Sequence, residues 1–332
     1  MHPLIISRKS KNGFGGLNRF YAELSRMLPK HYTISPDSLS DVFKIFFRKP
    51  THIYVCDATL LPLGIVLKVL LRKPLIVTAH GLDITYKNPL YQKMIHFLLP
   101  RTDAIALDSN PTKKLLQTFT LSQPIHVIPL GITTHHLQES TPIPLLSGKN
   151  NIILTTVGNL VKRKGHVWFI NRVMPFLPEN YCYAIVGNGP EEKAIRKSVR
   201  KHNLSRRVFL LGQLSHKELR FVLSKTDIYV SPNQHTLGNF ESFGIANGEA
   251  ARLGLPVVAS NVDGISEVIR NNHNGILISP TADNFITTLT ALKDAGIRKR
   301  LGQKASAYTK KYYSWKETAS AYTALFAQTD KN

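Results

Sequence analysis

The stretch Ile228–Ser260, IYVSPNQHTLGNFESFGIANGEAARLGLPVVAS, decides the fold class of this chain. It begins and ends with short runs of apolar and β-branched residues, which predict strands at Ile228–Val230 and Val257–Ala259. Between these runs a glycine-rich turn leads into a helical pattern. A strand, a helix and a further strand in this order form the repeating unit of a parallel sheet.

The same alternation runs through the whole chain and predicts an α/β protein with two Rossmann-like, doubly wound parallel-sheet domains. The segment Glu139–Asn150 has two prolines, a glycine and no clear period, so it predicts a linker. We therefore expect an N-terminal domain over residues 1–145, a C-terminal domain over residues 146–313 and a terminal helix over residues 314–332. Further strands are predicted at Pro3–Ser7, Ile53–Cys56, Leu75–Thr78, Ala104–Leu107, Ile125–Ile128, Ile152–Val157, Tyr183–Val186, Val208–Leu210 and Gly275–Ile278.

Composition narrows the possible classes of protein. The chain has 332 residues, of which 43% are hydrophobic and 19% charged, as in ordinary globular proteins. Its longest uncharged apolar run, Ala58–Leu67, falls well short of the ~20 residues that span a bilayer, and its N-terminus lacks the apolar core of a signal peptide. The two cysteines, Cys56 and Cys182, have no metal-binding or redox spacing, so we expect a reducing, cytoplasmic setting.

The net charge of +22 is the unusual feature of the composition. It favours a polyanionic partner such as nucleic acid, anionic lipid headgroups or a phosphorylated small molecule. The excess is spread along the chain, since residues 1–150 hold 18 Lys or Arg against 8 acids and residues 151–332 hold 25 against 13. A nucleic-acid or polyanion-binding protein is therefore an alternative, although no basic motif with interleaved aromatic residues supports it, and we expect no nucleic acid as partner.

Candidate site residues in the first half follow predicted strands, where open parallel sheets bind their ligands. Gly15 and Gly16 follow the first strand, and glycines there let the backbone approach an anion. They do not form the three-glycine dinucleotide fingerprint, which disfavours a nicotinamide-dependent dehydrogenase. His80 follows the strand Leu75–Thr78 and is placed to hydrogen-bond a substrate hydroxyl or phosphate, the alternative being a structural histidine.

The second half carries a cluster of cations in the same kind of position. The sequence GNLVKRKGH follows the strand Ile152–Val157 and contains Lys162, Arg163 and Lys164. Three cations at the end of a strand are placed to neutralise a diphosphate, although they could also form a solvated surface.

Two acids flank the Ser-Phe-Gly turn of the opening stretch. Glu241 and Glu249 stand eight positions apart, which on one helix places them on roughly the same face. The backbone amides of Phe243 and Gly244, at the start of the helix, predict an anion site. Because a carboxylate accepts hydrogen bonds from paired hydroxyls, two acids around an anion suit a sugar on one side of a diphosphate and a ribose on the other. The pattern predicts a nucleotide-sugar site.

These motifs resemble the retaining glycosyltransferases of family 4, whose GT-B architecture has two Rossmann-like domains facing across a cleft. That family includes phosphatidylinositol mannosyltransferases and bacterial lipopolysaccharide and glycolipid glycosyltransferases. Glu241 and Glu249 match its Glu, seven residues, Glu motif, and the terminal helix of such enzymes returns to the N-terminal domain. The resemblance extends over nearly the whole chain through the Gly15–Gly16 loop, TAHG at Thr78–Gly81, VIPLGI at Val127–Ile132, VGNLVKRKG, VGNGP, TDIYVSPN and a terminal helix beginning SW.

The resemblance implies a role for each matching residue. Glu241 would hold hydroxyls of the transferred sugar, Glu249 the ribose, and Lys164 the diphosphate. His80 would contact the sugar and acceptor, and the turn Gly212–Leu214 would lie near the base. The implied catalytic residues are His80, Lys164 and Glu241, and the implied donor-binding residues are Gly15, Gly16, Asn159, Arg163, Lys164, Gly212, Leu214, Phe243, Gly244 and Glu249.

The chain departs from the family pattern at Asn159, where the family usually has arginine five residues before its lysine. An asparagine cannot supply the two-pronged cationic contact of arginine. Either Lys162 or Arg163 takes over that contact, or the donor is held more weakly.

The implied activity is transfer of a sugar from a nucleoside-diphosphate sugar to a glycan or lipid-linked acceptor, with retention of anomeric configuration. No Asp-x-Asp pair occurs in the sequence, so we expect no metal, and the leaving diphosphate would be stabilised by cations and helix amides. No cofactor is expected, since the nucleotide-sugar is a substrate. A nucleotide-sugar epimerase of the same fold is a second alternative, and the oligomeric state is left open.

Two stretches of the first half combine apolar and basic residues, Asp41–Pro50 and Leu60–Pro74. They are either half-buried helices with solvated ends or a surface that docks on anionic lipid, to which each Lys or Arg adds up to ~1 kcal/mol. The second interpretation predicts a peripheral enzyme at the cytoplasmic face of the inner membrane, in the synthesis of lipopolysaccharide or another envelope glycoconjugate. The cations concerned are Lys44, Arg48, Lys49, Lys68, Arg72 and Lys73.

Overall fold

The computed structural model describes residues 2–7, 16–28, 31–34, 49–134, 137, 141–142, 151–237 and 239–329. Contacts within the chain divide it into two compact units. The first unit comprises Met1–Gly131, Gly238–Phe243 and Tyr313–Asn332, and the second comprises Ile132–Leu237 and Gly244–Tyr312.

The first unit contains a six-stranded parallel sheet of order β2-β1-β3-β4-β5-β6. Strand β1 lies between β2 and β3, with Ile5 opposite both Thr33 and Tyr54. The chain order reverses at this point, so the sheet is doubly wound. Its strands are β1 Leu4–Ile6, β2 Tyr32–Ile34, β3 Ile53–Val55, β4 Leu75–Ala79, β5 Ala104–Leu107 and β6 Ile125–Val127, and its helices are Gly16–Met27, Leu61–Leu71, Gly81–Thr85, Pro89–Leu98, Asn110–Leu115 and Trp315–Thr329, with short 3₁₀ turns at Ala58–Leu60, Leu99–Arg101 and Leu116–Thr118.

The helix Trp315–Thr329, here called the terminal helix, belongs to the core of the first unit. The hydroxyl of its Tyr322 lies 2.9 Å from Oγ1 of Thr78, which is 2.6 Å from the hydroxyl of Tyr54. All three side chains are buried. Since buried hydroxyls need partners, this chain of hydrogen bonds fixes the terminal helix against β3 and β4.

The second unit contains another six-stranded parallel sheet, of order β12-β11-β10-β7-β8-β9. Strand β7 lies between β10 and β8, with Leu154 opposite Ile228 and Tyr183. This is the strand order of dinucleotide-binding sheets, whose ligands sit beyond the carboxyl ends of the two central strands. Its strands are β7 Ile152–Val157, β8 Tyr181–Val186, β9 Val208–Gly212, β10 Ile228–Ser231, β11 Val257–Ser260 and β12 Ile276–Ile278, and its helices are His166–Arg172, Glu192–Lys201, His216–Lys225, Ile245–Arg252, Ile265–Val268, Ala282–Ala291 and Ala295–Tyr312, with 3₁₀ turns at Lys162–Lys164 and Met174–Phe176.

The two predicted parallel sheets are confirmed, and each predicted strand is present within two residues of its expected ends. Strand β2 was not predicted, because it is a three-residue edge strand with only Ile34 buried. Within the part of the chain that the structure describes, no helix is both long and apolar enough to cross a membrane.

Candidate functional site

Three loops meet at the carboxyl ends of β7, β8 and β9 in the second unit. The amide of Gly158 donates to the carbonyl of Val186 (3.0 Å), and the amide of Gly187 donates to the carbonyl of Gly212 (2.7 Å). A Cβ on Gly187 would lie 2.0 Å from the carbonyl oxygen of Gly158. The loops therefore pack backbone against backbone, which only glycine allows at this distance.

Lys164 lies in the loop after β7, on the 3₁₀ turn Lys162–Lys164. Its side chain is buried and folds back over Gly158, with Nζ 3.7 Å from where a Cβ of that glycine would be. Lys162 is exposed, and Arg163 is half-buried. Of the three predicted cations, Lys164 is the one whose side chain lies over Gly158, in the loop that packs against Gly187.

The loops after β7 and β10 are joined directly. The amide of Gln234 donates to the carbonyl of Arg163 (2.8 Å), and a Cβ on Gly165 would lie only 1.8 Å from the carbonyl oxygen of Pro232. Asn159, at the position of the missing arginine, is exposed. The backbone of the loop after β7 is thus held against the loop after β10, between the two strands where the strand order reverses. The exposed position of Asn159 can accommodate a larger side chain.

His166 follows this loop and was not predicted as a site residue. Its Nδ1 lies 3.0 Å from the hydroxyl of Tyr183, which lies 2.9 Å from Oγ1 of Thr156. Burial and the charge of Lys164 lower the pKa of His166 to about 3. The imidazole of His166 is therefore neutral at physiological pH, and it adds no second positive charge beside the buried Lys164.

Gly212 and Leu214 follow β9. The backbone of Gly212 has a φ of +68° and no other atom within 4 Å of a Cβ placed there, and Leu214 is half-buried. The predicted base-binding turn is therefore at the same sheet edge as Lys164, with open space beside it.

The helix Ile245–Arg252 follows β10 and carries Glu249, which is buried. Gly244 precedes the helix at its N-cap with a φ of +79°, and no side chain caps the first turn. Gly248 has side-chain atoms of Ile132 and Val268 so close that a Cβ would lie 2.7 Å from each, so the absence of a side chain at this helix position allows tight packing. The helix is continuous through it.

Glu241 does not share this helix, which corrects the expectation that the two glutamates lie on one helical face. The helix begins at Ile245, because the left-handed backbone of Gly244 interrupts the helical path. Glu241 and Phe243 are buried in a segment that groups with the first unit, where the ring of Phe243 lies 6.2 Å from that of Tyr313.

His80 directly follows β4 in the first unit, at the N-cap of the helix Gly81–Thr85, and is buried. Its Nδ1 lies 3.1 Å from Oδ2 of Asp108, and its Nε2 lies 3.3 Å from the carbonyl oxygen of Cys56. Sequence reasoning did not single out Asp108, because it follows a different strand, β5, and comes near His80 only in the folded sheet. Both ring nitrogens of His80 therefore have partners within the protein.

Gly16 is the first residue of the helix Gly16–Met27, which follows β1 in the chain. Gly15 lies outside the described residues. In the described part of the chain no three His, Cys, Asp or Glu side chains are grouped as metal ligands.

Comparison with known families identifies the chain. Residues 138–308, just over half of its length, match the family model of glycosyl transferases group 1. The chain belongs to that family. Residues 17–136 match a second model, glycosyltransferase family 4.

Three similar proteins are informative about relatives and fold. The GPI3 subunit of phosphatidylinositol N-acetylglucosaminyltransferase from Saccharomyces cerevisiae is 29% identical over 187 residues, which cover 54% of this chain and 40% of that subunit. The chain thus spans well under two thirds of that relative.

Among solved structures, Anabaena HepE with UDP and glucose aligns with a TM-score of 0.79 at 17% identity, covering 99% of this chain and 100% of HepE. The lipopolysaccharide outer core galactosyltransferase WaaB has a TM-score of 0.72 at 16% identity, covering 99% and 100%. The fold is GT-B.

Proposed function

We propose that this family member transfers a sugar from a nucleoside-diphosphate sugar to a glycan or lipid-linked acceptor, with retention of configuration. The observation that carries the proposal is the position of Lys164. This buried cation lies over Gly158, where the loops that follow β7 and β8 pack backbone against backbone, at the carboxyl ends of the strands of a doubly wound sheet. Such an edge is where phosphate groups bind in this class of sheet, and Lys164 would neutralise the leaving diphosphate. HepE, of the same fold, was crystallised with UDP and glucose.

The remaining donor contacts follow from the positions of the other residues. Glu249 is proposed to accept the ribose hydroxyls, and the amides of Phe243 and Gly244 to donate to the diphosphate. The space beside Gly212 and Leu214 is proposed for the base. In the first unit Gly16 is proposed to approach the phosphate or acceptor, and Glu241 and His80 to contact the sugar, with Gly15, Asn159 and Arg163 in supporting donor contacts.

We propose a metal-independent reaction, in which Lys164 and backbone amides stabilise negative charge as the sugar–phosphate bond breaks. The acceptor oxygen would bond to the anomeric carbon on the face that the diphosphate leaves, and its proton would pass to a phosphate oxygen. Positioning and electrostatics supply the catalysis in this scheme.

The acceptor is proposed to be lipid-linked or part of an envelope glycoconjugate, with the enzyme peripheral to the cytoplasmic face of a membrane. GPI3 is a subunit of an enzyme named for phosphatidylinositol, and WaaB is a lipopolysaccharide enzyme. On the helix Leu61–Leu71, three apolar side chains are largely exposed, Val66 by 53%, Val69 by 70% and Leu70 by 57%. Exposed apolar groups on one helix favour an interaction with lipid or protein.

The cations first assigned to this surface contribute differently. Lys68 donates to the carbonyl of Arg101 (2.9 Å) and forms an ion pair with Asp103 (2.8 Å). Its charge is therefore already paired within the first unit. Arg72 and Lys49 are exposed, whereas Lys44 and Arg48 lie outside the described residues. The apolar side chains are therefore a cleaner target than Lys68 for testing membrane binding.

Cosedimentation with phosphatidylglycerol vesicles tests that context. Val69→Ser with Leu70→Ser should lower binding several-fold, while Phe176→Ser, which removes a side chain 67% exposed in the second unit, should not. Equal loss with both variants contradicts a membrane-docking helix, and equal binding of the native protein to neutral phosphatidylcholine vesicles contradicts a preference for anionic lipid.

Thermal-shift measurements with UDP, GDP, ADP and their common sugars test the activity, since a ligand at 100 times its dissociation constant adds about 2.7 kcal/mol of stability. Incubation of the stabilising donor with membrane extracts then separates transfer from release of free sugar and from epimerisation of the donor. Epimerised donor without transfer would favour the epimerase alternative, and binding to RNA or DNA without any nucleotide-sugar effect would favour a polyanion-binding protein.

A further inference from the structure

The hydrogen-bond partners of His80 fix its protonation state. Nδ1 faces a carboxylate oxygen of Asp108 (3.1 Å), and Nε2 faces the carbonyl oxygen of Cys56 (3.3 Å). Both partners accept hydrogen bonds, whereas a neutral imidazole has one donor and one acceptor nitrogen. A neutral ring would direct a lone pair at an oxygen, while the doubly protonated ring donates to both.

We infer that His80 is a buried imidazolium, that Asp108 is the positioning residue that holds it in this state, and that His80 acts in the proposed transfer as a fixed hydrogen-bond donor and positive charge, not as a base. The charge state follows from the geometry of the pair. Its consequence for the reaction rests on the proposed function.

Asp108 is itself held in place. Its other oxygen accepts a hydrogen bond from Oγ1 of Thr112 (2.9 Å), at the start of the helix Asn110–Leu115. Asp108 and Thr112 are buried. A carboxylate fixed at both oxygens can orient the imidazole as well as charge it.

The other groups that face His80 are carboxyls and neutral side chains, and burial raises the pKa of one of these carboxyls, Asp83, to about 7. Asp83, on the next helix, accepts amide hydrogen bonds from His80 and Ala58 (2.6 and 2.9 Å), and Asp57 follows β3. Burial alone lowers the pKa of the imidazole. The bond to Asp108 and the charges of Asp108, Asp83 and Asp57 raise that pKa, to about 9. The helix Gly16–Met27 contributes Phe20, whose ring is edge-on to the imidazole, and Tyr21, whose hydroxyl donates to the Cys56 carbonyl, and Tyr322 of the terminal helix lies within electrostatic reach of Asp108.

Nε2 is the end of the ring that can change partner. Its 3.3 Å bond to Cys56 is longer than the usual 2.7–3.2 Å range. The same carbonyl accepts a shorter bond, 2.6 Å, from the hydroxyl of Tyr21. The Cys56 carbonyl therefore keeps a partner when Nε2–H turns to a ligand oxygen. Nδ1 stays with Asp108, and no proton leaves the ring.

Two-dimensional ¹H–¹⁵N NMR of the histidine side chains measures the charge state directly. The chain has 13 histidines, so His80 is assigned by the signal that disappears in His80→Gln. At pH 7.5 we expect both ring nitrogens of His80 to be protonated, with a midpoint well above the ordinary 6.5. In Asp108→Asn the midpoint should fall by at least one pH unit, and in Thr112→Val by less. Asp103→Asn, which changes an aspartate paired with Lys68 in the same unit, should leave it unchanged.

Activity with UDP-glucose as probe separates positioning from folding. Asp108→Asn should bind bare UDP within twofold of the native protein, while its kcat should fall at least threefold between pH 6 and pH 8.5, a larger fall than the native enzyme shows over that range. A neutral His80 in the native protein at pH 7.5, or an unchanged midpoint in Asp108→Asn, overturns the inference. If Asp108→Asn does not fold, the native titration and Thr112→Val still decide it. Absence of turnover with a charged His80 would count against the proposed function and leave the charge state established.

Discussion

The ring of Phe240 lies directly against the backbone of Gly81. A Cβ on Gly81 would be 2.2 Å from Cδ1 of Phe240, and both residues belong to the first unit. Gly81 follows His80, and Phe240 precedes Glu241. The two residues that we propose to act on the sugar are therefore chain neighbours of a tightly packed pair.

Gly81→Ala tests the importance of this contact. The added methyl cannot fit against the ring, so we expect a loss of about 1–3 kcal/mol of stability, as for other overpacked sites, together with reduced turnover. The measurement is urea unfolding of the single variants and of Gly81→Ala with Phe240→Ala. The second change makes space for the methyl, so the double variant should be more stable than the sum of the two single effects predicts. Additive effects would show that the two residues do not interact as described.

Lys164→Ala should weaken binding of the nucleoside diphosphate that stabilises the protein, for which UDP stands in this and the following predictions, by tenfold or more, because a charge-assisted hydrogen bond is worth about 1.5–3 kcal/mol. Lys162→Ala provides the matched control, since it removes an exposed lysine two positions earlier on the same turn. We expect less than a twofold change for it by calorimetric titration. Comparable losses from both variants would indicate that UDP responds to general charge and is not held by Lys164.

Asn159→Arg should tighten UDP binding at least tenfold, because it adds a two-pronged cationic contact at an exposed position beside the glycine loops. Gln303→Arg adds the same charge on the helix Ala295–Tyr312 and should have little effect. If Arg163 already supplies the contact, Asn159→Arg will be neutral and Arg163→Ala will abolish tight binding. No effect of any of these changes would place the diphosphate elsewhere.

Glu249→Gln and Glu241→Gln should differ in which step they impair. Replacing the proposed ribose acceptor at Glu249 by an amide should cost about 1–3 kcal/mol of UDP affinity. Glu241→Gln should leave UDP binding intact and lower turnover, because its proposed partner is the sugar. Titration with UDP and steady-state kinetics distinguish the two, and equal loss of UDP affinity in both variants would contradict the assignment of Glu241.

His166 should make the protein sensitive to acid. Its folded pKa, lowered to about 3, lies below the ordinary 6.5, so the unfolded chain binds a proton that the folded chain does not. Its stabilising effect is complete above pH 6.5 and is lost as pH falls. Between pH 6.5 and pH 5 this group alone should cost about 2 kcal/mol. In urea unfolding His166→Gln should lose less stability over that range than the native protein, whereas His235→Gln, at an exposed histidine, should behave like the native protein. Equal acid sensitivity of all three would rule out His166 as the cause.

The sequence predicted what depends on local pattern. Strand β8 is buried at all six positions, and its largely apolar sequence predicts a strand. Strand β2 has three residues, of which one is buried, and too short a sequence pattern to predict a strand. The two glutamates were recognisable from the sequence, but the prediction that they share a helical face was wrong. The left-handed conformation of Gly244 makes the helix begin at Ile245, after Glu241, and the sequence pattern does not show this. Contacts between distant segments were not predictable either. The pair of His80 with Asp108 forms only when β4 and β5 lie side by side, and the pair of Lys68 with Asp103 only when the helix Leu61–Leu71 packs near the start of β5.

The anomeric configuration of the product tests the central claim most directly. The enzyme is incubated with an α-linked nucleoside-diphosphate sugar that stabilises it, an acceptor and EDTA, and the new linkage is examined by ¹H NMR. We predict an α-linked product that forms in EDTA and is nearly absent with Lys164→Ala. A β-linked product, product formation only after manganese or magnesium is added, or undiminished transfer by Lys164→Ala would contradict a retaining, metal-independent transfer centred on Lys164.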